Sequence, residues 1–418
     1  MAPGIGAAGI MGIAVEDLIE PVLAGSPAAG GALTAGTYKY YVTAINAVGE
    51  TNVSNEVTVT TAAGNLTAAL TWGTVTGATG YKVYRTASGG ATGSELLVTT
   101  LGVVLLYNDT AVGAPAGALP VQNTAFNPGV YTAPTKYVPF MSETLTSTQA
   151  TIFRRPIRQS ADVIGAVPGN FNVAGDISLE CMEDCSIYFL YASRTSIVRT
   201  GTTPNWIYTI TPTATAIPTR TLSITMVRNG IVFGFTGCVV SSYIFTTSTG
   251  IMMHNLKMLG RDEAVQSLPT ATWPTTVPFG AGQYSIEVPT GTPVLDTDQF
   301  NFEVDDAGSP EFRLKSIGRG AQFIKYGERK VALQLDRDFD TRTDFDNFKN
   351  LVSDTMTITA SKGTNNSVSI LIPTNFKDTY EVQNSGQGDL VRAVIKYVAA
   401  IDGTGKSYQI VLKTQEAL

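Results

Sequence analysis

Charge is what this sequence has least of. Only 15% of its 418 residues are Asp, Glu, Lys or Arg, against about 25% in ordinary soluble proteins. What charge there is leans acidic, with 34 Asp and Glu and 28 Lys and Arg. That balance argues against a protein that grips nucleic-acid phosphates through a basic face. It leaves open a surface past which DNA slides without sticking. The chain has one histidine, His254, so any Ser-His-Asp or Cys-His arrangement would depend on it. It lies in MMHNL between apolar neighbours, where a partly exposed strand histidine is the expected role. The three cysteines, Cys181, Cys185 and Cys238, are odd in number and loosely spaced. They build no disulfide framework and lack a fourth zinc ligand, so buried free thiols are expected.

Other absences narrow the field further. No run of about 18 apolar residues marks a membrane span. The apolar stretch Ile5–Val15 has no basic lead-in, and Asp17 and Glu20 follow it at once, so no signal peptide is expected. The glycines never form a phosphate-cradling motif ahead of a helix. DRDFDTRTD (Asp336–Asp344) alternates carboxylates as a calcium loop does, yet Thr341 and Asn347 stand where the loop needs Gly and Glu. It reads as a solvated turn into a helix over 344–353, with Thr343 as N-cap. The expectation is a protein with no catalytic residue, no metal and no cofactor.

What replaces the missing charge is Thr, Ser, Gly and Val, as in Thr58–Ala63 and Thr209–Thr221. Short polar β-formers with Gly punctuation predict an all-β, extracellular or virion-like protein. Residues 25–35, GSPAAGGALTA, read as a flexible lead-in. Then TYKYYVTAINAVGE alternates with period two, placing Tyr38, Tyr40, Val42 and Ala44 on one face. NEVTVTT, LTAALTW, GYKVYRT, ELLVTT and VVLLYND follow at roughly ten-residue spacing, the pattern of a sandwich domain. The small, Pro-bearing run Gly113–Pro120 closes the block. Its LTW…GATGYKVYR stretch resembles the second and third strands of a fibronectin type III domain, with Trp72 as the core aromatic. AGTYKYYVTAINAVGETNVSNEVTVTT resembles that family's last two strands. Here the last pair comes first, so the resemblance implies a circular permutation.

From Val130 to Glu180 the chain reads as a strand, a long irregular connector over about Thr148–Gly169, and the strand FNVAGDISLE. A connector of that length is expected to be functional or interface-forming. A helix-compatible MEDCSIYFLYAS and the strands RTLSITMV, IVFGFTGCVVSSYIFTT and IMMHNLKMLGRDE come next. After the Pro- and Gly-rich linker 267–282, residues 283–418 repeat the plan: GERKVALQL parallels GNFNVAGDISL, DFDNFKNLVS the helix, and four later strands the closing ones. In the helix, Phe345, Phe348 and Val352 stand at helical spacing.

GIGAAGIMGIAVE at residues 4–16, PTKYVPFMSETL, GNFNVAGDISLE, GFTGCVVSSYIFT and the closing LGRDE together are similar to the tail tube proteins of phages with long non-contractile tails. The resemblance implies two tandem tail-tube-type β-sandwich or barrel domains, each with a short helix, plus an inserted immunoglobulin-like sandwich. The first tube domain would span 1–17 and 126–266, the insert 18–125, and the second tube domain 283–418. It also implies a virion tail subunit, assembled in the host cytoplasm, whose three-chain, pseudo-six-fold rings stack into a conduit for DNA ejection. Its partners would be further copies of itself, the tape measure, terminator and tail tip proteins, and double-stranded DNA in transient, non-specific passage. The insert would decorate the outside and take a host-surface sugar. The charged connector, with Arg154, Arg155, Pro156, Arg158 and Asp162, is the candidate subunit-interface loop, an arm that orders on meeting the next subunit. Acidic residues are dense from Asp296 to Asp346, twelve against eight Lys or Arg, and some are expected to face the channel. The rival reading is a cell- or carbohydrate-binding protein, such as a tail fibre, decoration protein or adhesin, acting through the immunoglobulin-like domain.

Overall fold

The computed structural model describes residues 9–111, 115–120, 123–155, 162–202, 204–218, 220–248, 250–313, 318–339, 342–384 and 391–418. The chain forms two compact units, Met1–Val15 with Gly129–Leu418, and Glu16–Pro128. Strand β1 (Ile10–Val15) belongs to the larger. The smaller holds β2 (Leu23–Ala28), β3 (Gly36–Ile45), β4 (Val57–Thr61), β5 (Thr67–Trp72), β6 (Gly80–Arg85), β7 (Leu96–Leu101) and β8 (Leu106–Asp109).

These seven strands make two sheets, β2-β5-β8 and β4-β3-β6-β7. The period-two pattern of β3 buries Tyr38, Tyr40, Val42 and Ala44. They share one core with Leu23, Leu70, Trp72 and Tyr81, and the Trp72 and Tyr81 rings lie 5.5 Å apart. Buried apolar side chains of this size each contribute roughly 1.5–3 kcal/mol. One ion pair is buried among them: Arg85 Nη1 lies 2.6 Å from Asp109 Oδ2, which also accepts the Tyr40 hydroxyl at 2.9 Å. The expected flexible lead-in is corrected here, because Leu23–Ala28 is a strand paired with β5. Its small residues suit close packing. A Cβ at Gly25 would meet the Leu70 side chain at 2.8 Å, and Pro27 is tolerated because β2 is an edge strand.

The larger unit continues with β9 (Lys136–Tyr137), β10 (Ser142–Glu143), β11 (Thr146–Arg154), β12 (Gly165–Glu180), α1 (Glu183–Tyr191), β13 (Thr195–Thr202), β14 (Asn205–Pro212), β15 (Leu222–Arg228), β16 (Ile231–Ser248), β17 (Ile251–Gly260) and β18 (Asp262–Val265). Its second half holds β19 (Tyr284–Glu287), β20 (Thr297–Asp305), β21 (Ser309–Glu311), β22 (Phe323–Lys325), β23 (Lys330–Asp338), α2 (Thr343–Lys349), β24 (Asp354–Ser361), β25 (Ser367–Asn384), β26 (Val391–Ala399) and β27 (Gln409–Thr414).

One pairing scheme occurs twice. β16 and β25, each 18 residues long, form antiparallel pairs with β17 and β26, with a register shift at Val240/Ser242 in one and Lys377/Thr379 in the other. Their first halves pair with β15 and β24. β12 and β23 lie on the far side of β17 and β26, and each is followed by a helix. β10–β11 and β20 flank β12 and β23 in turn. Among the described residues, the β13–β14 hairpin occurs only in the first half and β21–β22 only in the second. The halves join where β16 pairs with β20, Ser242↔Asp305 through Thr246↔Asn301. The result is one antiparallel sheet in the order β11-β12-β17-β16-β20-β23-β26-β25.

Three sequence expectations are corrected in this unit. The connector after Thr148 is not irregular: β11 and β12 form a hairpin from Thr146↔Ala174 to Arg154↔Gly165. β-Branched Thr and Ile residues sustain the strand, and Pro168 sits at the register shift where a ladder donor is dispensable. His254 is fully buried, since β17 turns Met252, His254, Leu256 and Met258 into the core. Helix α2 starts at Thr343 with Arg342 at the cap position and no side-chain cap, so Thr343 lies inside the first turn.

Candidate assembly surface

The eight-strand sheet buries one face and leaves the other open. Ile177 and Leu179 of β12, Phe300 and Phe302 of β20, Leu333 and Leu335 of β23 and Ile395 and Tyr397 of β26 point into the core. The residues between them form the open face, and register carries its rows across the sheet. One row runs Asp176–Lys257–Ser242–Asp305–Lys330. The next runs Ser178–Asn255–Ile244–Glu303–Ala332–Val398. This face carries Asp176, Glu180, Glu303, Asp305, Asp336 and Glu381 against Lys257, Lys330 and Lys396, while Arg392 is ion-paired with Asp298. Opposite charges stand directly across at Asp176↔Lys257 and Asp305↔Lys330, a favourable cross-strand arrangement. The excess is acidic.

At its two ends the sheet stops on strands with a ladder partner on one side only, among the described residues. β10 and β11 pair with β12 alone, and Phe376–Asn384 of β25 pairs with β26 alone. Such edges are templates for further strands. The β25 end is also apolar on its core side. Val382 is 45% exposed and Leu351 68%, and Phe345 and Phe348 pack on the Tyr380 ring at 5.7 and 6.1 Å without being buried. The first half differs. Tyr243 and Phe245 are buried there, and every residue of α1 is buried.

The β11–β12 hairpin stands out from the rest: every residue of β11 but Ser147 is exposed. Ile152, Phe153, Val163, Ile164 and Val167 present apolar side chains along it. Of the residues singled out from the sequence, Arg154 ends β11, where its carbonyl accepts the Ile164 N–H at 3.2 Å, and Arg155 and Asp162 are exposed beside the tip. Pro156 and Arg158 lie outside the described residues. The open edge of β25 was missed in the sequence, although the polar alternation of Thr379, Glu381 and Gln383 is its signal.

The core holds the one histidine. His254 Nδ1 lies 3.2 Å from Ser186 Oγ, its ring stacks on Phe245 at 4.2 Å, and burial lowers its pKa to about 3. Ser186 Oγ is also 3.6 Å from Cys181 Sγ, and burial pushes that thiol up to about 12. A neutral imidazole and a protonated thiol with no solvent access make a packing cluster, not a nucleophile. Cys185 and Cys238 are buried free thiols as well. Among the described residues no group of three His, Cys, Asp or Glu side chains is placed to hold a metal ion. Asp336 and Asp344 of the calcium-like stretch instead accept hydrogen bonds from Gln299 and Arg337.

Residues 110–405, well over half of the chain, match the family model described as phage tail tube protein. The match begins one residue after β8 ends at Asp109. None of the curated proteins matches.

Proposed function

Since the chain belongs to the phage tail tube protein family, we propose that this structural protein of the virion tail polymerises as stacked rings into a hollow conduit for DNA. The observation that carries the proposal is the eight-strand sheet with one polar open face and two open edges. A soluble monomer has no use for both edges left available, whereas closure into a barrel removes them. The two halves with matching pairing schemes are read as tandem tube domains, so that three chains make a pseudo-six-fold ring.

Size agrees with this reading. Three such sheets would close twenty-four strands. At about 4.8 Å between strands and a tilt of about 40°, that barrel is roughly 50 Å across between backbones. Barrels of 16–18 strands already leave an aqueous channel. The open face would line this lumen, and its acidic excess keeps DNA phosphates from binding as they pass. The β11–β12 hairpin, with Arg154 and Arg155 at its end, would be the arm that reaches a neighbouring subunit, and its exposed Ile152 and Phe153 supply contact area.

The smaller unit is read as an immunoglobulin-like insert on the tube's outer surface. Support comes from its sheets, β2-β5-β8 and β4-β3-β6-β7, which match the three-plus-four arrangement of a fibronectin type III sandwich with the β3–β4 pair moved forward in the chain. An adhesive role toward host-surface sugar rests on analogy with other virion surface domains. Electron microscopy of the purified protein tests the main reading. Tubes or stacked rings are expected, and monodisperse particles under every assembly condition would overturn it.

A further inference from the structure

The repeated pairing scheme defines which residue of the second half stands where a given residue of the first half stands. The register shifts align Ser242 with Thr379, and their partners Lys257 and Lys396 follow. Those two in turn pair with Asp176 and Gln334. Gln334 pairs with Asn301, and the Asp176 carbonyl accepts the Thr144 N–H at 2.9 Å. Thr144 therefore stands where Asn301 stands, and by the same register Thr146 matches Glu303 and Thr148 matches Asp305.

Within the chain, the first half's β16 is joined to the second half's β20 by Ser242↔Asp305, Ile244↔Glu303 and Thr246↔Asn301. The counterparts of those two strands are β25 and β10–β11, the strands at which the sheet ends. We propose that β25 of one copy adds antiparallel to β10–β11 of the next copy in the register Thr379↔Thr148, Glu381↔Thr146 and Gln383↔Thr144. The seam between chains thus repeats the seam within the chain. The inference rests on the tube reading above and specifies its subunit contact.

Three observations favour this occupant. Neither end of the sheet has an outer ladder partner among the described residues. At the β10–β11 end the Leu145 N–H bonds to Glu143 Oε2 at 3.0 Å and its carbonyl accepts from Arg228, side-chain contacts that Val382 of the next copy replaces in this register. The facing pairs on the open side are uncharged or singly charged, so no like charges oppose one another. The core side is short of cover at the β25 end: Phe245 is fully buried while its counterpart Val382 is 45% exposed. In the proposed register Val382 faces Leu145, as Phe245 faces Phe302 in the internal seam.

Cysteine pairing in the full chain tests the register. Cα atoms of facing residues lie within the range of about 4.4–6.8 Å that a disulfide spans, while neighbours shifted by two residues are about 7–8 Å apart. The variants are Thr379→Cys with Thr148→Cys, Glu381→Cys with Thr146→Cys, and Gln383→Cys with Thr144→Cys. The shifted controls join Glu381→Cys to Thr148→Cys or to Thr144→Cys. All positions are at exposed or half-exposed edges, and the three native thiols are buried. Oxidation of assembled protein is expected to give a ladder of disulfide-linked chains from in-register pairs and monomers from the shifted ones. Tubes in the microscope without a ladder from any in-register pair, or with equal ladders from the shifted pairs, would overturn the register and leave the tube reading standing. A protein that neither assembles nor crosslinks removes both.

Discussion

Lowering the pH should weaken this fold chiefly through one histidine, ahead of most carboxylates. His254 is the only histidine, it is fully buried, and its Nε2 has no hydrogen-bond partner. Around the ring stand Phe245, Phe189 at 6.3 Å and Tyr243 at 6.1 Å, with no anion in contact to stabilise an imidazolium. The pKa is depressed from 6.5 to about 3 in the folded protein. The sign follows directly. Above the unfolded value both states hold neutral imidazole and the stability is intact; below it the unfolded chain takes a proton that the folded chain refuses. Unfolding then gains about 1.4 kcal/mol per pH unit until the folded pKa is reached, about 5 kcal/mol in all. From pH 6.5 to 4.5, ahead of most carboxylates, the loss should be about 2–3 kcal/mol.

The assay is the urea midpoint of the larger unit at pH 7 and pH 4.5, for the parent chain and for His254→Gln. Glutamine keeps a polar atom for Ser186 and cannot become charged in this range. Asp306 acts in the opposite sense, since burial raises its carboxyl pKa and its protonation favours the folded state as pH falls; it is common to both proteins and cancels. The variant is expected to be less stable at neutral pH and to lose about 2–3 kcal/mol less than the parent across the window. Equal pH dependence in the two proteins would refute the reasoning.

Two further outcomes are expected. Asp109→Asn leaves the Arg85 guanidinium buried without its counter-ion, which costs about 3–5 kcal/mol; calorimetry should show the smaller unit melting at least 10 °C lower, at about 4 °C or more per kcal/mol, while tubes still form if that unit is a decoration. Phe153→Asp places a charge on the 59% exposed apolar flank of the hairpin and should leave the melting temperature within about 2 °C of the parent while raising the concentration needed for assembly severalfold; unchanged assembly would show that the hairpin is an ordinary surface feature.

Strong periodicity is what made parts of this fold legible in the sequence. Tyr38, Tyr40, Val42 and Ala44 line one face of β3 because large side chains at every second position have only one way into a sandwich core. The strands of β16 and β17 were legible for the same reason. The likeness of GERKVALQL to GNFNVAGDISL located β23 and β12, which hold equivalent places in the pairing scheme. Elsewhere the signal was weak. β2 is built from Gly, Ser, Pro and Ala, and its strand character comes from the β5 partner. β13–β14, missed entirely, mixes Thr, Arg and Gly along a largely exposed strand and is held by β27, two hundred residues away. The burial of His254 depended on which face of β17 turned inward. The seam register depends on pairs far apart in the chain, which no local pattern reports.

A single chain holding both halves changes the energetics of closing such a ring. Every seam between strands must offset the loss of freedom on association, an estimated 4–15 kcal/mol when the partners are separate molecules. In the proposed ring, joining two halves through 267–282 would make one seam in two intramolecular, at an effective concentration set by the linker and not by expression level. The linker itself is anchored: Phe279 is fully buried, and its backbone bonds to Met252 and Cys181 at 3.0 and 3.4 Å. The β16–β20 join is therefore held in register before any second chain arrives. It leaves β25 and β10–β11 as the ends of the eight-strand sheet without an outer ladder partner among the described residues, one of them backed by the exposed Val382 and Leu351. Ends that differ in this way favour head-to-tail addition over pairing of like with like, and head-to-tail addition is the geometry that closes rings.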